Sequence, residues 1–315
     1  MTRAIATAAA LLALAPFTPA QILVHPTKSP SATTADVDLV DVLSSVRDKR
    51  GALIKNLAKA DFALKVDGRR QEITHFASEV DSPLTVALLF DVSGSVANII
   101  GAEKVAAGRF FAEVLRPNDR ALLAGFAQDV AVWQDLTPPG ADLQEALGKV
   151  RPFGRASGPN RKARPRGGTL LFDAVALVAG QKLQKRPGRK TIVLITDGED
   201  NGSRVNLEAA RKAALEADAI IYGIHYDDPL VGPQTTRSGM RTLEQLAAPT
   251  GGRAYDVSRK TTLEAIFAAI GEEMRNQYGL EFTPPGGGNV GIFHRVEVSV
   301  KKDGLKVQAR DGFYR

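Results

Sequence analysis

The chain has 315 residues, no cysteine and a formal net charge of +6. Its length allows one large domain beside a smaller one, and the lack of cysteine excludes disulfide bonds, thiolate metal sites and thiol redox chemistry. A composition of 44% hydrophobic and 24% charged residues is ordinary for a globular protein. The positive charge favours acidic partners but does not indicate a fold.

Residues 1–20 have the pattern of a signal peptide. Arg3 precedes a short apolar run over residues 4–17, and small residues at positions 18–20 resemble a cleavage site before Gln21. An uncleaved membrane anchor is the alternative, but the run is short and contains proline. After this run no stretch is long and apolar enough for a transmembrane segment. We therefore expect export from a bacterial cell, with the mature protein in the periplasm or on the outer surface.

Two segments near the ends of the chain, 36–80 and 280–315, have patterns of short strands separated by turns. A tether over residues 21–35, rich in proline, serine and threonine, is predicted to be disordered. Apolar residues recur with the two-residue period of a strand at Phe62, Leu64, Val66, Val296, Val298 and Val300. Neither segment has enough strands for a core of its own. We therefore predict one small β-domain built from both termini, with the central domain inserted into it.

The central segment, 82–279, has a different pattern. Continuous apolar runs, each too short for a helix, occur at Val86–Phe90, Thr191–Ile195 and Ala219–Ile224. Such runs are typical of strands buried on both faces of a mainly parallel sheet. Helical patterns cover residues 99–115, 141–149, 169–184, 206–217 and 261–277. The alternation predicts a doubly wound α/β domain, in which ligands bind where the carboxyl ends of the strands meet the loops.

Five oxygen-bearing residues lie in loops after predicted strands or at the start of a predicted helix: Asp91, Ser93, Ser95, Thr169 and Asp197. All their donors are hard oxygens, a set that suits Mg²⁺ or Mn²⁺ and disfavours zinc. The alternative for the first three is a structural turn, because serine and aspartate are common there. With only two carboxylates, a bound ion would keep positions for water and for a carboxylate from another molecule.

These motifs resemble the metal-ion-dependent adhesion site of von Willebrand factor A domains. The resemblance rests on Asp91-x-Ser93-x-Ser95, on the distant Thr169, and on Asp197 within a Thr-Asp-Gly sequence. It implies that both serines and the threonine contact the ion directly, whereas the two aspartates act directly or through water. It also implies a module that binds other proteins through the ion.

The resemblance covers about residues 82–279, and the flanking segments extend it. Residues 46–51 and 276–280, together with the ending at 309–314, look like the acidobacterial group of von Willebrand factor A-related proteins. With these flanks the resemblance spans nearly the whole mature chain. It implies an architecture more firmly than it implies a specific task.

We expect a binding module in which the ion coordinates an Asp or Glu carboxylate of a partner protein, and we expect no enzymatic activity. The catalytic alternative is a Mg²⁺-dependent hydrolase similar to haloacid dehalogenase phosphatases. It would use Asp91 as nucleophile, Thr169 and Lys190 as phosphate contacts, and Asp197 as metal ligand. Ser93 stands where such an enzyme needs its general acid, which argues against catalysis. A structural envelope protein, in which the metal only stabilises loops, is the third possibility.

Other polar residues near these motifs give weaker signals. The basic segment Arg161–Arg166 indicates either a mobile loop or a surface that steers an acidic protein, or an anionic envelope surface, toward the metal. Nucleic acid is not an expected partner, because this segment lacks interleaved aromatic residues. Asp173 is expected one turn into the helix that Thr169 opens, and residues 199–201 are expected to form a solvated rim.

Overall fold

The computed structural model describes residues 39–78, 82–94, 100–152, 168–226, 233–284 and 291–315, and the side chains at 233–236 are outside this description. The predictions for the signal peptide, the tether, Ser95 and the basic segment Arg161–Arg166 therefore lie outside the described residues. Within the described ranges, no helix has both the length and the apolar character needed to cross a membrane.

Strands and helices alternate through the middle of the chain, and strands alone occupy its two ends. The strands are β1 (Val40–Arg47), β2 (Phe62–Val66), β3 (Arg69–Gln71), β4 (His75–Ala77), β5 (Leu84–Asp91), β6 (Arg120–Phe126), β7 (Val130–Thr137), β8 (Arg189–Thr196), β9 (Ala219–His225), β10 (Ala254–Asp256), β11 (Tyr278–Phe282), β12 (Phe293–Val300), β13 (Lys306–Ala309) and β14 (Gly312–Tyr314). The helices are α1 (Ile100–Val114), α2 (Ala141–Lys149), α3 (Leu171–Leu177), α4 (Leu207–Glu216), α5 (Pro233–Ala247) and α6 (Leu263–Arg275). Helix α3 continues as a π-helical segment, Val178–Leu183.

The central sheet has the order β10-β9-β8-β5-β6-β7 and is parallel except for the antiparallel pair of β6 and β7. Every residue of β5, β8 and β9 is buried. One apolar cluster packs α1, α2 and α6 against the sheet, and a second packs α3, α4 and α5. Strands covered on both faces need continuous apolar runs, which is the pattern that the sequence shows. The predicted doubly wound, mainly parallel α/β fold is confirmed.

The sequence patterns missed several elements of the central sheet. Strands β6, β7 and β10 and helix α5 lie outside the predicted strands and helices. Strand β7 is an edge strand with mostly partly exposed residues, so it lacks a continuous apolar run. Helix α5 buries Leu243, Leu246 and Ala247 near its end, whereas its first half is polar. Strand β7 is identified by its pairing with β6, and helix α5 by its buried residues, because neither has a regular apolar period in the sequence.

Two further sheets combine strands from both ends of the chain, as predicted. Their orders are β13-β1-β11-β4 and β14-β12-β2-β3, and all strand pairs in them are antiparallel. They share one apolar cluster, in which the rings of Phe62 and Tyr278 lie 5.0 Å apart. Strand β11 crosses the boundary predicted between residues 279 and 280, and all three sheets belong to one compact unit. The domain limits therefore stay a prediction.

A buried carboxylate joins the central sheet to the terminal sheet that contains β1 and β13. Glu273, on α6, is fully buried and accepts hydrogen bonds from the Tyr222 hydroxyl of β9 at 3.1 Å and the Ser45 hydroxyl of β1 at 3.1 Å. It also accepts a hydrogen bond from the Gln308 amide of β13 at 3.0 Å and pairs with the guanidinium of Arg47. Because these donors come from three strands and two sheets, one carboxylate fixes the position of α6 against all of them.

Candidate metal centre

The candidate metal centre lies at the carboxyl ends of β5 and β8, which are neighbours in the central sheet. The parallel register places Phe90 beside Ile195, so Asp91 and Thr196 end the two strands together. The Thr196 hydroxyl donates a hydrogen bond of 2.7 Å to Asp91 Oδ2, and Asp91 is only 1% exposed. The structure therefore places the first predicted aspartate in a buried position at the crevice where ligands of open α/β sheets bind.

The turn after β5 is organised by the same aspartate. The Ser93 amide donates a hydrogen bond of 2.8 Å to Asp91 Oδ1, which bends the chain back over the end of the strand. The structural turn weighed as an alternative is therefore present. It does not compete with a metal site, since each carboxylate oxygen has a second lone pair available.

The loop after β8 holds the second aspartate. Asp197 accepts a hydrogen bond of 3.1 Å from the Glu199 amide, and Gly198 has a φ of +78° that favours glycine. The Gly198 amide donates to the Thr196 hydroxyl at 3.1 Å. The Thr196 hydroxyl thus accepts a hydrogen bond from the loop after β8 and donates one to Asp91, so it links the two loops that carry the aspartates.

Thr169 is held beside this loop by backbone contacts. It is 6% exposed and directly precedes the first turn of α3. Its carbonyl accepts a hydrogen bond of 2.9 Å from the Asn201 amide, and the Leu170 amide donates to the Ala127 carbonyl after β6 at 2.9 Å. The loops after β6 and β8 therefore both fix the backbone at Thr169. From the sequence, only the family resemblance places Thr169 beside the two aspartate loops.

Two acidic residues near the centre have structural roles that the sequence did not reveal. Asp200 accepts hydrogen bonds from the Phe172 amide at 3.1 Å and from the Ser203 hydroxyl at 2.6 Å, so it caps the start of α3. Asp173, in the first turn of that helix as expected, accepts from the Arg204 and Val205 amides at 3.0 and 3.1 Å. These residues hold the loop after β8 against α3, and Asp200 does more than form a solvated rim.

The electrostatics of the centre favour a cation. Burial, and next the nearby charge of Asp197, raise the pKa of Asp91 to about 6. A divalent cation near the two carboxylates would offset the free-energy cost of ionising Asp91, because it supplies the opposite charge. No cluster of three or more histidine, cysteine or acidic side chains able to hold a metal occurs in the described residues. A site here therefore depends on hydroxyl donors beside the two carboxylates, and this donor set fits Mg²⁺ or Mn²⁺.

Helix α5 supports the loop of Asp197 through a close backbone contact. A Cβ built on Gly239 would lie 1.8 Å from the Asp197 carbonyl oxygen, whereas one built on Gly148 of α2 would have nothing within 4 Å. We expect Gly239→Ala to displace this loop, lower the free energy of unfolding by about 1–3 kcal/mol and weaken cation binding. Thermal denaturation and calorimetric titration with Mg²⁺ would measure both. Gly148→Ala, the control, should leave cation binding unchanged and should not lower the free energy of unfolding, because alanine is favoured over glycine inside a helix. Equal behaviour of the two variants would contradict the prediction.

The geometry argues against the hydrolase alternative. That mechanism requires Lys190 to contact the same phosphate as Asp91. Lys190 instead lies at the start of β8, paired with Ala219, six residues before Thr196. At about 3.3 Å per residue this separation is roughly 20 Å, so Lys190 belongs to the opposite edge of the sheet. The phosphate contact assigned to Lys190 in that alternative is wrong.

The fold and the position of the centre define the class of the central part: a doubly wound α/β domain with an oxygen-rich crevice at its carboxyl edge. Residues 86–199 match the family model of the von Willebrand factor type A domain. This stretch is therefore similar in sequence to von Willebrand factor A domains, and the fold of the central part agrees with theirs. No curated protein matches the chain.

Solved structures of similar fold come from bacteria and from a mussel. A von Willebrand factor type A protein from Catenulispora acidiphila is 15% identical, with 78% of this chain and 71% of that chain covered and a TM-score of 0.50. Proximal thread matrix protein 1 from the mussel byssus is 17% identical, with 65% and 51% covered and a TM-score of 0.50. BatB from Bacteroides thetaiotaomicron is 19% identical, with 61% and 97% covered and a TM-score of 0.47. At these identities the first two show the fold alone.

Proposed function

We propose that the chain is an exported module that binds a partner protein through a divalent cation. Asp91, Ser93, Ser95, Thr169 and Asp197 would hold Mg²⁺ or Mn²⁺, and an Asp or Glu carboxylate of the partner would complete its coordination. The observation that carries the proposal is the hydrogen bond between Asp91 and Thr196, which unites the two aspartate loops at one buried point. The raised pKa of Asp91, caused by burial and then by Asp197, supports a cation there.

The chain's own residues would bind and orient rather than break bonds. Neutral hydroxyl ligands do not reduce the positive charge of a bound ion. An acidic group from another molecule is therefore a favourable further ligand. Another structure of the mussel protein has a metal-ion-dependent adhesion motif occupied by zinc. That observation supports the capacity of this fold to hold a divalent ion at such a motif. The choice of Mg²⁺ or Mn²⁺ rests on the oxygen donors of this chain.

Export and steering complete the proposal. The pattern of residues 1–20 supports passage to the periplasm or the cell surface, where an envelope protein would be the partner. The basic segment Arg161–Arg166 precedes Thr169 in the sequence and would attract an acidic protein or an anionic envelope surface toward the ion.

The proposal is tested by capture of a partner from bacterial envelope extract on the immobilised chain, in Mg²⁺ and in EDTA. We expect a protein that is retained in Mg²⁺ and released by EDTA. Thr169→Val, which removes one donor hydroxyl, should lose this retention. Thr74→Val, which removes an exposed hydroxyl that bonds the Glu281 carbonyl in the terminal sheets, should keep it.

Two outcomes would overturn the proposal in different ways. Retention that survives EDTA and Thr169→Val would show binding without the cation. Saturable Mg²⁺ binding in calorimetry, with a loss of thermal stability in EDTA and no retained protein, would favour a structural envelope protein whose metal stabilises the loops.

A further inference from the structure

Helix α1 carries a buried carboxyl group that the five candidate ligands do not include. Glu103 is 1% exposed and lies on the face of α1 that packs into the core with Ile100, Ala106 and Phe110. Its Oε2 atom is buried and has no hydrogen-bond partner among the residues that the structure describes. Within the described residues, Glu103 forms no ion pair with Lys, Arg or His. A buried carboxylate without a counter-charge is costly, so its position needs a physical reason.

The groups that act on Glu103 identify its surroundings. Burial, and next the charge of Asp91, raise the pKa of Glu103 to about 8. The pKa of Tyr226, which follows β9, is raised by burial and then by the charge of Glu103. Glu103 lies in the first turn of α1, the helix that follows β5 in the chain, and β5 ends at Asp91. The negative charge of Asp91 opposes the ionisation of Glu103, whereas a cation beside Asp91 would favour that ionisation.

We propose that Glu103, buried on α1, is a carboxyl group behind the direct ligands of the cation site and strengthens the binding of the divalent ion held by Asp91 and Asp197. This inference rests on the proposed function, because it assigns a further group to the same site. Glu103 acts outside the direct ligands, through its charge or through a water on the ion. Carboxylates behind the direct ligands of a metal commonly tune its affinity in this way.

A purely structural role for Glu103 fits the structure less well. Its neighbours on the buried face of α1 are apolar, and an apolar side chain of similar volume would fill this position without the cost of a buried charge. The cost is offset when the cation binds, since a divalent ion attracts both Asp91 and Glu103. The two roles make opposite predictions for the affinity of the ion, which can be measured directly.

The test is calorimetric titration of Mg²⁺ into the metal-stripped chain at pH 8.5, above the raised pKa of Glu103. We expect Glu103→Gln to raise the dissociation constant about tenfold or more. The matched control is Glu113→Gln on the same helix, where the side chain is exposed; its dissociation constant should stay within about twofold of the parent value, because water and salt screen an exposed charge. Without metal, Glu103→Gln should melt no lower than the parent, since a neutral amide replaces a buried charge. Glu103→Met provides a second neutral variant should the glutamine variant fail to fold.

The outcomes separate this inference from the proposed function. Saturable Mg²⁺ binding by the parent, with an unchanged dissociation constant in Glu103→Gln or Glu103→Met, would overturn the role of Glu103 and leave the cation site intact. Lack of binding by the parent would overturn the cation site itself, and the role of Glu103 with it.

Discussion

Asp91→Ala is expected to abolish Mg²⁺ and Mn²⁺ binding while the protein stays folded. Asp91 is the buried point at which the Thr196 hydroxyl and the Ser93 amide meet, at 2.7 and 2.8 Å. Its removal deletes one of only two carboxylates of the candidate set and leaves both donors without their acceptor. Because outer carboxylates alone change metal affinity by about 10- to 100-fold, loss of an inner one should weaken binding by at least about 100-fold.

Calorimetric titration of both ions into the metal-stripped parent and variant would measure this loss, with circular dichroism as the test of folding. The control is Asp135→Ala on β7, which removes an exposed carboxylate that pairs with Lys182 at 2.6 Å. This variant should bind as the parent does. Equal affinity of Asp91→Ala and the parent would show that the ion, if bound, lies elsewhere.

Glu273→Ala is expected to produce the largest loss of stability of any single substitution considered for this protein. The side chain is fully buried and holds Arg47, Ser45, Tyr222 and Gln308 around one carboxylate. Its truncation would leave the Arg47 guanidinium without its partner and several donors unsatisfied. Breaking a buried ion pair on one side costs about 3–5 kcal/mol, so the free energy of unfolding should fall by about that amount.

Urea denaturation followed by circular dichroism would measure the change. The adjacent Glu272→Ala is a matched control on the same helix, because Glu272 is exposed and pairs with the exposed Lys55. An exposed pair contributes about 0–1 kcal/mol, so this control should unfold close to the parent. A similar, small effect of both substitutions would mean that α6 is held mainly by apolar contacts such as that of Phe267 with Phe110.

Local patterns in the sequence predicted much of the central sheet and of the candidate site. The runs in β5, β8 and β9 are continuous because both faces of these strands are covered, and such a run is visible in five or six consecutive residues. The turn from Asp91 to Ser93 and the loop of Asp197 are equally local. Of the terminal strands, β2 and β12 are predicted by their two-residue apolar period, and the union of both ends of the chain in one small β-domain follows from the small number of strands at each end.

Residues with isolated or polar patterns were harder to assign. Strand β7 and helix α5 lack a regular apolar face, and Asp200 resembles any loop aspartate until its bond to the Phe172 amide is known. Lys190 directly precedes the apolar run Thr191–Ile195, so it belongs to the amino end of that strand, away from the carboxyl ends where ligands bind. The parallel register of β8 then placed it at the far edge.

The sequence by itself therefore determines the class of fold and the chemical type of the candidate ligands, since both depend on residues that are close neighbours along the chain. The surroundings of the buried carboxylates, in contrast, depend on residues that are far apart in the sequence. Glu273 meets Ser45 across 228 positions, and Glu103 is affected by Asp91 from a different element. Such contacts arise only when helices pack on sheets, and burial then turns ordinary glutamates into groups that stabilise the fold or, as proposed, the bound ion.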